Sequence, residues 1–188
     1  PLVAVDFFME EGDPEAQITA FRVKKAKERG VTYDFRSRQE FYLQAKEQGE
    51  AIFPFLGVGH LIGDLQFENH YSSFFPLAGK AQTLTLYCNE SGPYISYQSD
   101  AYGFHNFGKQ ENSVVLIGDS FVQGGCVPSE KNLAGHLAAQ NIPVVNLGLS
   151  GNGPLLNLAV VKEYALFYKP KILFWIYYEG NDLTDLLN

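Results

Sequence analysis

The stretch Val114-Val115-Leu116-Ile117-Gly118-Asp119-Ser120-Phe121-Val122-Gln123-Gly124-Gly125 decides how the rest of the chain reads. Four consecutive apolar residues, three of them β-branched, predict a short strand buried on both faces, as inside a parallel sheet. Gly118 ends that strand, and Asp119-Ser120 stand where the chain turns toward a following helix. A hydroxyl there lies at the C-terminal edge of a sheet, where open α/β folds bind their ligands. On this stretch alone two roles are open to Ser120, a helix N-cap or a nucleophile.

Beyond the elbow the pattern is regular. A helix is expected from near Ser129 through Leu133, Leu137 and Ala138, then a strand over Pro143–Leu147 and a loop over Gly148–Gly153. Pro154 opens a helix that must end by Lys169, because Pro170 comes next. A last strand, Ile172–Tyr177, runs into Glu179-Gly180-Asn181-Asp182. This βαβαβ order predicts a parallel sheet with right-handed crossovers. Three strand ends then share one edge and bring together Ser120, the Ser150-Gly151 turn and Asn181. A hydroxyl, a glycine backbone that a substrate oxygen can approach, and a neutral carboxamide are the parts of an acyl-transfer site. Each also has a plain structural reading: Gly151 serves a turn, and Asn181 caps the segment after it.

In these three blocks, Gly118-Asp119-Ser120-Phe121, Ser150-Gly151 and Gly180-Asn181-Asp182, the chain resembles the SGNH or GDSL hydrolases. Those are esterases, lipases, thioesterases and polysaccharide deacetylases on a flavodoxin-like α/β/α fold. The resemblance covers roughly residues 112–188, and the Asp100-Ala101-Tyr102-Gly103-Phe104-His105-Asn106 segment is more loosely similar to one seen in some bacterial members. It implies Ser120 as nucleophile, and the Ser120 N–H, the Gly151 N–H and the Asn181 amide as oxyanion donors. It also leans the compartment toward export. The family's closing Asp-x-x-His block, which supplies base and orienting acid, is not found in these 188 residues. None of His60, His70, His105 and His136 has an Asp three residues earlier. The chain therefore reads as a piece clipped at both ends, with its general base missing and poor turnover expected. Within it His105, just ahead of the nucleophile strand, is the best-placed substitute, though a loop His between Phe104 and Asn106 more often packs. His136 is expected to point away from the site, and Asp119, Asp182 and Asp185 to be structural.

The N-terminal part, residues 1–110, is expected to be a helical and loop-rich region packed on the α/β domain of 111–188. Asp13-Pro14 signals a helix that stops at Gly30, and Ser37-Arg38-Gln39-Glu40 has capping-box spacing for a second that ends near Gly49. Neither has a wide apolar stripe, so both belong on the surface. Residues 51–80 are dense in Gly, Pro and aromatics, with no sustained period, and read as a packed, loop-rich wrap rather than a disordered linker. Thr83–Cys88 and Tyr94–Tyr97 read as a β-hairpin around Asn89-Glu90-Ser91-Gly92-Pro93.

A net charge of −7 over 188 residues argues against nucleic-acid and anionic-membrane partners, which reward a basic face. No apolar run approaches the roughly 20 residues of a spanning helix. A leader or anchor outside this stretch stays open, since the chain opens on Pro1. Two cysteines, Cys88 and Cys126, permit a disulfide, but in a core of this size they are more often reduced small side chains, and they suggest no metal site. The elbow lacks any phosphate-cradling glycine pattern, so no nucleotide, flavin or other cofactor is expected. The expected partner is an acyl ester, small or carbohydrate-borne. The competing function is a non-catalytic relative that binds glycan or a protein through the same cleft, its surface shaped by the aromatic-rich 51–107 region.

Overall fold

The computed structural model describes residues 14–57, 76–90, 92–106 and 113–182. Two short sheets organise them, and the protein is of mixed α/β class. The first sheet runs in the order β1-β2-β3, with β1 (Ile52–Pro54) parallel to β2 (Leu84–Leu86) and β2 antiparallel to β3 (Ser96–Gln98). The second runs β5-β4-β6, all parallel, with β4 (Val114–Ile117) between β5 (Val144–Asn146) and β6 (Ile172–Trp175). The parallel sheet and its crossovers are what the βαβαβ pattern requires, since a strand of Val and Ile buried on both faces needs neighbours on both sides.

The two N-terminal helices form where their local signals put them. Helix α1 (Pro14–Glu28) begins on Pro14, and Gly30 beyond its end takes a left-handed φ of 69°; the expected cap, Asp13, lies outside the described residues. Helix α2 (Arg38–Glu47) has a complete capping box, in which the Glu40 N–H donates to Ser37 Oγ and the Ser37 N–H donates to Glu40 Oε2. Both helices lie on the surface. Ile18 and Phe21 are exposed, while Ala26 and Ala45 are the buried contacts.

Four expectations are corrected. The loop-rich wrap over 51–80, where the sequence pattern marks no strand, contains β1, whose partner β2 lies some thirty residues on, so nothing local announces it; residues 58–75, with His60 and His70, lie outside the described residues. The elbow is itself helical: a one-turn helix α3 (Ser120–Gln123) continues from the strand at once and ends on Gly124 in the left-handed region. The helix expected from Ser129 is broken in two by Asn132, which is extended and caps the second piece. A 3-10 turn (Ser129–Lys131) precedes α4 (Leu133–Ala139), and Asn132 Oδ1 accepts from the Gly135 N–H at 2.7 Å. Cys88 and Cys126 are not reduced. They form a disulfide with Cα atoms 5.3 Å apart, because the hairpin packs against the elbow.

Helix α5 (Pro154–Glu163) starts on its Pro and passes into a 3-10 turn (Ala165–Tyr168) that stops before Pro170. The main core gathers Val115, Ile117, Val145, Leu147, Val160 and Phe104 between sheet and helix. A second cluster of Phe55, Tyr87, Tyr97 and Leu149 joins the first sheet to the loop after β5. Strand β6 is different. Like β5 it is an outer strand among the described residues, but Ile172, Leu173, Phe174 and Trp175 are all exposed, so both of its faces present apolar surface. Among the described residues no helix is long and apolar enough to cross a membrane.

Candidate active site

Strand β4 delivers the chain to the site, and glycine lets it turn there. A Cβ on Gly118 would sit 2.5 Å from Val122 Cγ2 and 2.7 Å from the Ile176 carbonyl oxygen, so only hydrogen fits. Asp119 takes the cap position, its Oδ1 accepting from the Phe121 N–H at 2.9 Å. That removes the capping role from Ser120. The cap belongs to Asp119, and Ser120 lines a cleft of about 490 Å³.

Ser150, Tyr87, Tyr94, Arg22 and Arg38 line the same cleft. Arg22 pairs with Glu90 at its rim, and Arg38 Nη1 donates to the Phe55 carbonyl at 3.1 Å. The cleft therefore joins the elbow of the second sheet to the first sheet and to both N-terminal helices. The disulfide lies in its wall, since Cys126 comes two glycines after the elbow and Cys88 leaves β2.

The loop after β5 comes close to the elbow and is bonded to it. The Leu149 N–H donates to the Gly118 carbonyl at 3.1 Å, and the Ser150 N–H to Gln123 Oε1 at 2.7 Å. Leu149 to Asn152 is closed by Asn152 N–H to Leu149 O at 3.1 Å, with Gly151 at φ 86°. A positive φ at the third residue of such a turn is the type II geometry, which favours glycine there. Gly151 thus has the turn role that its neighbours suggested, on a loop whose previous residue lines the cleft. Gly57 presses on this loop, since a Cβ there would meet the Ser150 carbonyl oxygen at 2.8 Å. Among the described residues neither the Ser120 N–H nor the Gly151 N–H donates to a protein acceptor.

Asn181 is not among the residues that line this cleft. It lies in the turn after β6, which Asp182 closes by accepting the Tyr178 N–H on Oδ2 at 2.8 Å. Asp182 is thus structural, as its position suggested; Asp185 lies outside the described residues. The turn reaches the elbow through Phe121 and Tyr178, whose ring centres are 4.8 Å apart. The structure therefore brings the Ser120 and Ser150-Gly151 segments into direct contact, and Asn181 to the adjoining loop.

His105 is not positioned as a base. It is buried and stacked on Tyr97 at 4.0 Å, with Nδ1 2.9 Å from the Gln123 carbonyl and Nε2 2.6 Å from Ser129 Oγ. A carbonyl only accepts, so Nδ1 carries the hydrogen and the neutral ring's Nε2 accepts from the Ser129 hydroxyl. Burial holds its pKa below 6.5. His136 is exposed on α4.

Two buried amides and two buried phenols went unread in the sequence. Gln123 is fully buried; its Oε1 accepts from Tyr87 Oη at 2.8 Å as well as from Ser150, and its Nε2 donates to Tyr97 Oη at 3.0 Å. Asn146 ties β5 to α3, its Nδ2 donating to the Val122 carbonyl at 2.7 Å and its Oδ1 accepting from the Gly148 N–H at 2.9 Å. Burial pushes the Tyr97 phenol up to about 12 and raises the Tyr87 phenol as well, so both stay protonated. A glutamine between Val122 and Gly124 carries no local sign of such a role. Among the described residues no cluster of His, Cys, Asp or Glu could hold a metal ion.

Comparison with protein-family models, curated proteins and solved structures finds no match to this chain.

Proposed function

We propose that the protein is a serine ester hydrolase or acyltransferase of SGNH type, acting on a small or carbohydrate-borne acyl ester. The observation that carries this reading is the junction of Ser120, uncapped in a cleft, with a Ser150-Gly151 turn bonded directly to its elbow. In this reading Ser120 Oγ attacks the ester carbonyl carbon, the leaving alcohol departs, and the acyl group passes to water or a second alcohol. On the same reading the negative oxygen formed on the way is received by the Ser120 and Gly151 N–H groups; the Asn181 amide, the third donor that the resemblance implies, does not line the cleft. The β5-β4-β6 order agrees with the first strands of a flavodoxin-like sheet.

Among the described histidines, His105 is bonded to Gln123 and Ser129 and His136 is exposed outside the cleft, so neither is placed to act as the base. The nucleophile is tested on the full-length gene product with a fluorophosphonate, in which Ser120 Oγ displaces fluoride from phosphorus. Labelling that Ser120→Ala abolishes without a change in melting temperature supports the proposal. A parent that folds and takes no label rejects it in favour of a non-catalytic binding module, and a Ser120→Ala protein that labels like the parent rejects Ser120 as the nucleophile.

A further inference from the structure

We infer that Gln123 is a positioning residue that sets the Gly151 N–H against Ser120, an inference that rests on the acyl-transfer reading of this site. Gln123 belongs to both halves of the site. Its backbone is the last residue of the one-turn helix that begins at Ser120, and its N–H donates to the Asp119 carbonyl at 3.0 Å. Its side chain holds the other half through the 2.7 Å bond from the Ser150 N–H, one peptide away from Gly151.

The carboxamide is oriented from both ends. Tyr87 Oη donates to Oε1 and Tyr97 Oη accepts from Nε2, so only one of the two amide orientations satisfies all three partners. Tyr87 and Tyr97 come from the hairpin side of the molecule, and His105 grips the Gln123 carbonyl from the segment before β4. The residue is fully buried, so losing the acceptor would leave the Ser150 N–H without its partner, and the turn would move to find another. A displacement of about 1 Å at a reacting centre is enough to slow it by as much as two orders of magnitude.

The geometry separates this role from a merely structural one. A packing residue supports the loop by its volume; a positioning residue supports it by its acceptor oxygen. Gln123→Met keeps the volume and removes the acceptor, whereas Gln123→Glu keeps acceptor oxygens. Two quantities are read on the full-length gene product: amide exchange at Ser150, and the saturable fluorophosphonate reaction of Ser120, split into its maximal rate and its half-saturating concentration. Expected for Gln123→Met is faster Ser150 exchange with core amides such as Val115 unchanged, and a maximal rate about ten- to a hundredfold lower at an unaltered half-saturating concentration. Gln123→Glu should keep Ser150 protected. A Gln123→Met protein with parental maximal rate and a protected Ser150 overturns the inference, as does a Gln123→Glu protein that loses protection as fully as the Met variant.

Should Gln123→Met not fold, Tyr87→Phe removes one of the bonds orienting the carboxamide. A fall of about threefold in maximal rate is then expected, and parental values of rate and protection overturn the inference. If the parent takes no label, the nucleophile reading has failed on its own, and Ser150 exchange alone decides whether Gln123 holds the turn.

Discussion

At the scale of single residues, His105 shows how a side chain with catalytic chemistry is committed to structure. Its Nδ1–H meets a carbonyl, its Nε2 a hydroxyl, and its face a tyrosine ring, and burial makes the charged form costly. The folded pKa lies below 6.5, so on acidification the unfolded chain binds this proton first. The stabilisation is complete above the unfolded value and is lost as pH falls from there through the folded value. Thermal melts should accordingly show the parent losing stability as pH falls below about 6.5, and His105→Gln losing less over the same range. Equal slopes for the two proteins would contradict this. Ser120, Gly151 and His105 were all legible as polar or glycine residues in informative places. What the sequence did not show was Gln123, because its role depends on three partners 26 to 36 positions away.

At the scale of elements, local signals placed the helices well and the first sheet poorly. Pro14, the Ser37–Glu40 box and Pro154 act within a single turn, so they can be read without knowing the fold. Strand β1 is three residues long and exists by virtue of β2. The disulfide belongs to the same class of feature. It connects the hairpin to the segment behind the elbow across 38 positions, a closure that the chain-entropy model values at up to about 4 kcal/mol. Reduction, or Cys88→Ser with Cys126→Ser, should lower stability by about 2–4 kcal/mol and the melting temperature by roughly 5–15 °C. Because both cysteines line the cleft, fluorophosphonate labelling of Ser120 should slow as well. Melts that coincide with and without a dithiol reductant, under conditions where free thiols are titrated in the reduced sample, would show that the link contributes nothing.

At the scale of the whole molecule, the cleft is a joint product of its two sheets, and β6 stands apart from the well-covered core. A strand with apolar side chains on both faces, and no strand beside its outer edge among the described residues, favours pairing with another chain. These 188 residues should therefore associate with rising concentration in light scattering, and Trp175→Lys should weaken that association; a monomer at every concentration would contradict it. The sequence by itself determined the α/β class, the parallel run of β4, β5 and β6, the helix starts, and a Ser, Gly and Asn at successive strand ends. Those features arise from periodicity, capping and turn chemistry, which act over a few residues. Long-range packing establishes that Asp119 rather than Ser120 caps the elbow, that Cys88 meets Cys126, that His105 is occupied, and that Gln123 binds the two loops together. Each of those depends on which distant groups the packed core brings within bonding distance, and residue pattern along the chain carries no record of that.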